Sequence, residues 1–171
     1  MTAFSVGHGT ASPDELLARL ALGEVRRVVD IRTAPGSRRS PHLGKDQLEV
    51  WLPDSGVSYG WEPRLGGFRR PVPDSPDAVW RNESFRGYAG HLRTGDARAA
   101  LDDLLAAAGA EPTAFLCSET VWWRCHRRLV ADALVLLHGV QVGHLLPGRV
   151  APHQPTDGAR VAGDVLVYDG R

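Results

Sequence analysis

The sequence predicts an α/β fold, because short apolar runs alternate along the chain with segments of helical periodicity. The first unit shows this pattern clearly. An apolar run at 3–7 is followed by Ser12 and Glu15 in the positions of a capping box, and by leucines at helical spacing up to Gly23. A second apolar run occupies 25–31, so we predict strand, helix and strand. Two parallel strands joined by a helix need a crossover that lays the helix on one face of the sheet.

The rest of the chain continues this alternation. We predict further strands at 57–61, 113–117 and 141–145, and further helices at 45–52, 84–92, 96–108 and 125–138. Together the elements predict a three-layer sandwich with a mainly parallel central sheet of about five strands, of the Rossmann-like kind. Residues 62–82 hold four prolines and a Gly-Gly pair, so we interpret them as a loop-rich insertion. The polar segment from about residue 147 is expected to be a tail with one edge strand at 165–168.

Length and composition indicate one domain over residues 1–171. Hydrophobic residues make up 43% of the chain and charged residues 23%, which excludes a disordered or fibrous protein. The formal net charge is zero, so no overall field draws the chain to nucleic acid or to a membrane. No apolar run approaches the roughly 20 residues of a membrane helix, and the N-terminus lacks a secretory signal. The only cysteines, Cys117 and Cys125, are expected to be free thiols in the cytoplasm.

Reactive side chains follow three of the predicted strands. His8 follows the first strand, and Asp30 and Arg32 lie at the end of the second. Cys117 ends the fourth strand and is followed by Glu119. In an open parallel sheet the carboxyl ends of the strands meet at one rim, and ligands bind there. We therefore expect one functional site at this rim.

The segment after the fourth strand carries most of the chemistry. Cys117 closes the strand, Arg124 lies in the loop, and Cys125 and His126 open the next helix. A helix N-terminus and nearby arginines favour a thiolate, the form of cysteine that attacks electrophiles and binds metals. One interpretation makes either cysteine a nucleophile, with His8 or His126 as its base. A divalent metal at the same residues is a second interpretation, and Cys117 as a small apolar residue of a buried strand is a third.

Arginines and aromatic side chains cluster in loops at the same rim. Guanidinium groups bind phosphate or carboxylate through a planar fork, and aromatic rings stack on bases. We therefore expect an anionic small molecule or a nucleotide as the partner, with nucleic acid as the alternative. The plainer interpretation is that the arginines are surface cations and the rings pack the loops down. The residues are Arg32, Arg38, Arg39, Arg64, Arg69, Arg70, Trp61, Phe68, Trp80, Phe85 and Tyr88.

Five groups of residues form an ordered pattern along nearly the whole chain. They are Gly7-His8-Gly9-Thr10, Asp30-Ile31-Arg32 with Pro35 and Ser37-Arg38, Leu65-Gly66-Gly67, Asn82 with Ser84-Phe85-Arg86-Gly87-Tyr88, and Leu116-Cys117-Ser118-Glu119 with Cys125-His126-Arg127. This pattern resembles the family called domain of unknown function 488 (DUF488). The chain departs from it at Gly9, where the family usually has serine, and at Trp122, where proline is frequent. The resemblance implies an α/β sandwich and the positions of a site, but no settled reaction.

Two hypotheses of function follow. The first is a cytoplasmic enzyme that acts on a phosphate- or carboxylate-bearing substrate, through a cysteine nucleophile or a metal. The second is a non-catalytic module that binds a nucleotide or nucleic acid. In the first, we predict catalytic roles for Cys117, Glu119, Cys125, His126, His8 and Asp30, and substrate-binding roles for Thr10, Arg32, Arg38, Arg86, Tyr88, Arg124 and Arg127. Whether a divalent metal is a cofactor, and in what oligomeric state the chain acts, are left open by the residues.

Overall fold

The computed structural model describes residues 1–36 and 38–171 and is built around a six-stranded sheet. The strands are β1 (Thr2–Gly7), β2 (Arg27–Asp30), β3 (Ser58–Trp61), β4 (Thr113–Cys117), β5 (Gln141–Leu146) and β6 (Arg149–Pro152). Their order across the sheet is β3-β2-β4-β1-β5-β6. The first five are parallel, and β6 pairs antiparallel with β5 at the edge. Ser37, which belongs to one of the family motifs above, lies outside the described residues.

Helices cover both faces of the sheet. They are α1 (Pro13–Leu22), α2 (Lys45–Asp54), α3 (Glu83–His91), α4 (Gly95–Ala110) and α5 (Arg127–His138), with single 3-10 turns at Pro41–Leu43, Pro63–Leu65 and Trp122–Arg124. Apolar side chains of α1 and α2 form one core, and those of α3, α4 and α5 form the other. Successive residues of β4 alternate between the two, since Leu116 faces the first core and Cys117 the second. The predicted three-layer α/β sandwich with a mainly parallel sheet is confirmed.

The helices begin and end within two residues of the predicted positions. Glu15 N donates to Ser12 Oγ and Ser12 N donates to Glu15 Oε1, both at 3.1 Å, which is the predicted capping box. α4 continues past its predicted end and includes Gly109, and α2 includes Pro53 in its last turn although the sequence predicts its end before that proline. Ser55 closes that turn by donating its N–H to Leu52 O at 2.9 Å, so the helix ends beyond the proline. None of the helices in the described ranges is long and apolar enough to cross a bilayer.

The chain beyond residue 147 contains more strand than the sequence predicted. β6 joins the main sheet, and β7 (Arg160–Ala162) and β8 (Val165–Val167) form a separate antiparallel hairpin. Only β8 was anticipated. β6 is short and mostly exposed, so it lacks the apolar alternation by which a strand is recognised. The segment after β8 places the buried Tyr168 against α5, where its hydroxyl donates to Asp132 Oδ2 at 2.9 Å.

The connection between β3 and α3 is held in place by side chains. Over residues 62–82 the only helical turn is Pro63–Leu65. Tyr88 of α3 donates its hydroxyl to Leu65 O, and His91 Nε2 donates to Arg64 O, both at 2.6 Å. These contacts fix the first part of the loop against α3, which brings residues 66–68 to the carboxyl rim of the sheet.

Candidate functional site

A cleft of about 540 Å³ opens at the carboxyl ends of β1, β2 and β4. Its most buried lining residues are His8 after β1, Arg32 after β2, Cys117 at the end of β4, Cys125 before α5 and Tyr88 of α3. The sheet order β2-β4-β1 explains this meeting, because the three strands are neighbours and run in the same direction. The cleft therefore lies where an open parallel sheet binds its ligands.

The pairing of β1 with β4 sets the spacing of the site. Gly7 is in register with Cys117, and His8 N donates to Cys117 O at 3.0 Å. We call residues 118–124 the cysteine loop. This loop passes so close to β1 that a Cβ at position 7 would overlap the carbonyl group of Glu119. Only glycine fits there, and its small size lets the cysteine loop fold over the end of β1.

Two thiols and one imidazole form the centre of the cleft. His126 Nδ1 lies 3.8 Å from Cys117 Sγ and 3.8 Å from Cys125 Sγ. On its other side, His126 Nε2 lies 3.0 Å from Ile31 O. A carbonyl oxygen only accepts, so Nε2 carries a proton and Nδ1 is the nitrogen that gains or loses one. The imidazole is thus oriented with its reactive nitrogen between the two sulfurs.

The guanidinium of Arg127 is buried beside Cys125 and forms no ion pair with a carboxylate. The side chain is 1% exposed. Its Nε donates to Cys125 Sγ at 3.5 Å, its Nη1 to Ser5 Oγ at 3.2 Å, and its Nη2 to Glu119 O. The backbone N–H of Arg127 also donates to Cys125 Sγ at 3.5 Å. Within residues 1–36 and 38–171, no carboxylate oxygen lies within ion-pair distance of this guanidinium, so the sulfur is its directly bonded anionic partner.

The two cysteines have opposite pKa shifts. Burial acts to raise the pKa of Cys125, but interaction with the Cys117 thiol, the His126 imidazole and the Arg127 charge together bring it well below its ordinary value. The hydrogen bond to Cys125, followed by burial, raises the pKa of Cys117 well above its ordinary value. These directions favour ionisation of Cys125 before Cys117, and the two thiols titrate as a pair.

A second polar group borders the thiols. Arg32 donates from Nε and Nη2 to the carboxylate of Asp30 at 2.9 and 2.7 Å, and Tyr59 donates its hydroxyl to the same carboxylate at 2.5 Å. Arg32 Nη1 donates to His8 Nε2 at 3.1 Å, and His8 Nδ1 donates to Gly9 O at 2.8 Å. Burial lowers the pKa of His8 to about 4, so the ring is neutral at pH 7. Its lone pair is used by Arg32, which favours a role for His8 in orienting Arg32 rather than as a base.

The exposed part of the lining offers a free cation and a free amide. The guanidinium of Arg124, at the end of the cysteine loop, is exposed and has no side-chain partner in the part of the chain that the structure describes. Asn82 caps α3 through Oδ1, which accepts from the N–H groups of Ser84 and Phe85. This leaves the Asn82 side-chain NH₂ as a donor at the cleft. Anionic groups of a ligand would meet Arg124 first.

Phe68 stands at the cleft with its ring 90% exposed. Its backbone has a φ of 60°, in the left-handed region that a bulky residue adopts only under constraint. The constraint is visible on both sides: Thr33 Oγ1 donates to Gly67 O at 2.9 Å, and Arg69 Nε donates to Gly66 O at 3.2 Å. A strained backbone that holds an exposed aromatic ring at a cleft is typical of ligand-binding positions.

The three central donors also raise the question of a metal. Cys117 Sγ, Cys125 Sγ and His126 Nδ1 all lie within 4.8 Å of one another, close enough to share a thiophilic dication, and no other such group occurs in the described ranges. Two observations disfavour this occupant. In the described ranges no fourth His, Cys or carboxylate joins the group, as a closed structural site would require, and Cys125 Sγ accepts from both the backbone N–H and the guanidinium Nε of Arg127, which places a fixed positive charge beside any bound cation. The donor set fits a thiolate better than a metal.

Comparison with known families agrees with the predicted resemblance. The family model described as Domain of unknown function DUF488 matches residues 12–134 of the 171-residue chain. The chain belongs to the DUF488 family. No curated protein and no solved structure matches it. The matched range includes both cysteines and Arg127, whereas His8 precedes it.

Some residues of this DUF488 chain that were predicted to form the site do not line the cleft. Thr10 and Arg38 are exposed elsewhere, and Arg86 is half-buried on α3. Asp30 and Arg127 are buried behind the cleft and act on it through Arg32 and Cys125. The predicted residues that do line it are His8, Arg32, Tyr88, Cys117, Glu119, Arg124, Cys125 and His126.

Several loop residues of the DUF488 chain serve the loop itself. Arg64 bonds to Glu62 at 2.7 Å and to Asp103 at 2.6 Å, and Arg69 bonds to backbone carbonyls of its own loop. Trp80 is buried and packs edge-on against Phe85, with ring centroids 5.2 Å apart. The contacts of these residues match the plainer interpretation, in which arginines and aromatic rings hold the loops in place.

Sequence reasoning missed a group of buried polar residues behind the cysteine loop of the DUF488 chain. Ser5, Asp132 and His144 are fully buried, and His153 is 7% exposed. The available signal was a polar residue inside an apolar element: His144 in the run of β5, and Asp132 on the apolar face of α5. A buried polar residue needs a hydrogen-bond partner, so these two positions are the signal of a buried polar group.

Proposed function

We propose that this chain is an enzyme in which the Cys125 thiolate attacks an electrophilic carbon or phosphorus atom of an anionic substrate. The observation that supports it is the buried Arg127 guanidinium, which has no carboxylate partner among the described residues and donates to Cys125 Sγ at 3.5 Å. A buried cation without a counter-charge costs several kcal/mol, and an ionised Cys125 supplies that charge. The thiolate also precedes the first turn of α5, where the helix dipole stabilises it.

The proposed step uses the three central groups. A lone pair of Cys125 Sγ forms a bond to the substrate atom, and the bond to the leaving group breaks and gives its electron pair to that group. His126 Nδ1, within reach of both sulfurs, supplies the proton that the leaving group takes. Water then cleaves the covalent intermediate, with His126 accepting a proton, and restores the Cys125 thiolate. Cys117 keeps its proton throughout and donates to the thiolate.

The cleft favours a nucleotide among the anionic substrates. Arg124 offers a guanidinium for a phosphate or carboxylate, since it has no side-chain partner among the described residues, and Arg32 lines the same cleft. Phe68 offers an exposed ring face on which a base can stack. The two free cysteines suit a reducing compartment, so we place the enzyme in the cytoplasm.

The pH dependence of alkylation tests the thiolate. Purified protein is treated with iodoacetamide between pH 4 and 9, and modification of each cysteine is followed by peptide mass spectrometry. We expect Cys125 to react first, with a midpoint well below the free-thiol value of about 8.5, and Cys117 to react slowly. With p-nitrophenyl acetate and p-nitrophenyl phosphate as probes, the covalent adduct should form on Cys125 and vanish in Cys125→Ser. Ordinary midpoints at both cysteines, or one equivalent of tightly bound zinc, would contradict the proposal.

A non-catalytic nucleotide-binding module is the second candidate, favoured by the exposed Phe68 and the exposed Arg124, which line the same cleft. In that case, binding of nucleoside monophosphates, measured by calorimetry, should be unchanged in Cys125→Ser, and no adduct should form with either p-nitrophenyl probe. The zero formal net charge speaks against non-specific binding of nucleic acid.

A further inference from the structure

A continuous chain of hydrogen bonds leads from the core of the protein to Arg127. Ser5 Oγ lies 2.5 Å from His144 Nδ1, His144 Nε2 lies 2.9 Å from His153 Nδ1, and His153 Nε2 lies 2.8 Å from Asp132 Oδ1. At the near end, Arg127 Nη1 donates to Ser5 Oγ at 3.2 Å. We call Ser5, His144, His153 and Asp132 the buried relay. It starts at a carboxylate on α5, passes through His153 just after β6 and His144 of β5, and ends on β1 behind the cleft.

The direction of every bond in the buried relay follows from its two ends. Arg127 only donates, so the Ser5 oxygen accepts from it and the single Ser5 hydrogen goes to His144 Nδ1. Burial, then the neighbouring His153 and Arg127, lower the pKa of His144 to about 2, so this ring is neutral and its Nε2 donates to His153 Nδ1. His153 Nε2 then donates to Asp132. All donors point toward the carboxylate, and each bond polarises the next.

The buried relay is also tied to the cysteine loop by ring stacking. Trp122 lies parallel to His144, with centroids 4.3 Å apart and planes 3° apart. The same indole meets His153 edge-on at 5.1 Å. Trp122 lies in the cysteine loop, three positions before Cys125. The His144 and His153 rings therefore contact the cysteine loop through Trp122 and the Arg127 guanidinium through Ser5.

Fold stability alone does not explain such a group. Burying four polar side chains carries a desolvation penalty that apolar residues of similar volume avoid. Hydrogen bonds within a fully satisfied network offset this penalty, but they do not make the protein more stable than a well-packed apolar core would. What the buried relay adds is geometry. Arg127 has a long side chain with many rotamers, and its Nη1 is held at one point by an oxygen whose own hydrogen is committed elsewhere.

We propose that Ser5, His144 and His153 are positioning residues that hold the Arg127 guanidinium against Cys125 and so keep the sulfur ionised. The proposal rests on the proposed function insofar as Cys125 is the thiolate. It assigns these residues no contact with substrate. Their effect reaches the reaction through the position of one guanidinium.

The pKa of Cys125 depends on every titratable or charged group around it. Cys117 faces it from β4, Tyr88 from α3, and His126 and Arg127 from the start of α5. Tyr88 is neutral, because burial raises its pKa well above its ordinary value. A substitution in the buried relay replaces none of these residues, so a change in the pKa of Cys125 reports a movement of Arg127.

The test compares the alkylation midpoint of Cys125, read by peptide mass spectrometry, across five proteins. His144→Leu removes the acceptor for Ser5, whereas His144→Asn keeps an oxygen near the position of Nδ1. Ser5→Ala breaks the contact with Arg127 with a much smaller change in volume, and serves if His144→Leu fails to fold. Leu145→Val is the matched control: it alters the next residue of β5, which faces the other core. Thermal denaturation of each variant reports stability separately.

We expect the midpoint to rise by about one pH unit in His144→Leu and Ser5→Ala, and to stay at the wild-type value in His144→Asn and Leu145→Val. Equal midpoints in the wild type, His144→Leu and Ser5→Ala would overturn the proposal, as would a rise in Leu145→Val that matches its loss of stability. An ordinary midpoint in the wild-type protein itself would refute the thiolate assignment instead, so the two failures are distinguishable.

Discussion

The interaction between Arg127 and Cys125 gives the most direct quantitative prediction, through Arg127→Gln. The guanidinium Nε lies 3.5 Å from the sulfur, and the residue is 1% exposed. Two unit charges about 4 Å apart interact by about 4 kcal/mol at an effective dielectric constant of about 20. Loss of that energy lowers the thiolate population at acidic pH by about a thousandfold, because each 1.4 kcal/mol is roughly a factor of ten.

The rate of Cys125 alkylation should fall less than the thiolate population does. A thiolate of higher pKa is the stronger nucleophile, with a Brønsted coefficient of about 0.4 to 0.5, so nearly half of the logarithmic loss is recovered. We therefore expect alkylation of Cys125, measured at a pH below its wild-type midpoint, to slow by roughly thirtyfold to fiftyfold in Arg127→Gln. Glutamine keeps part of the side-chain volume and can still donate to Ser5 or to the Glu119 carbonyl, which protects the fold.

Arg128→Gln is the matched control for this measurement. Arg128 is the next residue of α5, donates to Thr156 Oγ1 at 2.9 Å and lies over the Trp80 ring, away from the sulfur. Its alkylation profile should coincide with that of the wild type. If Arg127→Gln reacts within a factor of about three of the wild type at a pH below the wild-type midpoint, the guanidinium does not ionise Cys125 and the reasoning is wrong.

Three further predictions follow from the same site. In Cys117→Ala, Cys125 should still be alkylated but with a higher midpoint, since the thiol that donates to it is gone; an unchanged midpoint would show that Cys117 is a packing residue only. His8 is protonated near pH 4 in the folded protein and near 6.5 in the unfolded chain, so the free energy of unfolding should fall by up to about 3 kcal/mol as the pH drops through that window. In urea denaturation at pH 7, 5.5 and 4, the free energy of unfolding of His8→Gln should fall less with pH than that of the wild type. An equal fall in both proteins would argue against a neutral, buried His8 ring. Phe68→Gly should weaken binding of nucleoside monophosphates by about 1 to 3 kcal/mol in calorimetry, without lowering the melting temperature, because glycine accepts the φ of 60° without strain; unchanged affinity would remove Phe68 from the ligand site.

The sequence by itself predicts the secondary structure of this protein and the edge of the sheet at which His8 and Cys117 lie. The capping box at Ser12 and Glu15 predicted the start of α1, and the alternation of apolar runs predicted a mainly parallel sheet. Those signals are local, because a cap or a buried strand depends on residues that are neighbours in the chain. The carboxyl-rim rule then placed His8 and Cys117 at one edge without knowledge of any contact.

Which residues contact each other was decided by the tertiary structure. The sequence favoured Arg127 as a ligand for substrate, but packing turns its donors to Cys125, Ser5 and the Glu119 carbonyl. Residues 5, 127 and 144 come from three distant segments, so no periodicity or spacing relates them. Burial is a property of the assembled layers: only when β1, β5 and α5 pack together does the Arg127 guanidinium lose water, and a buried cation favours a negative charge on the thiol beside it.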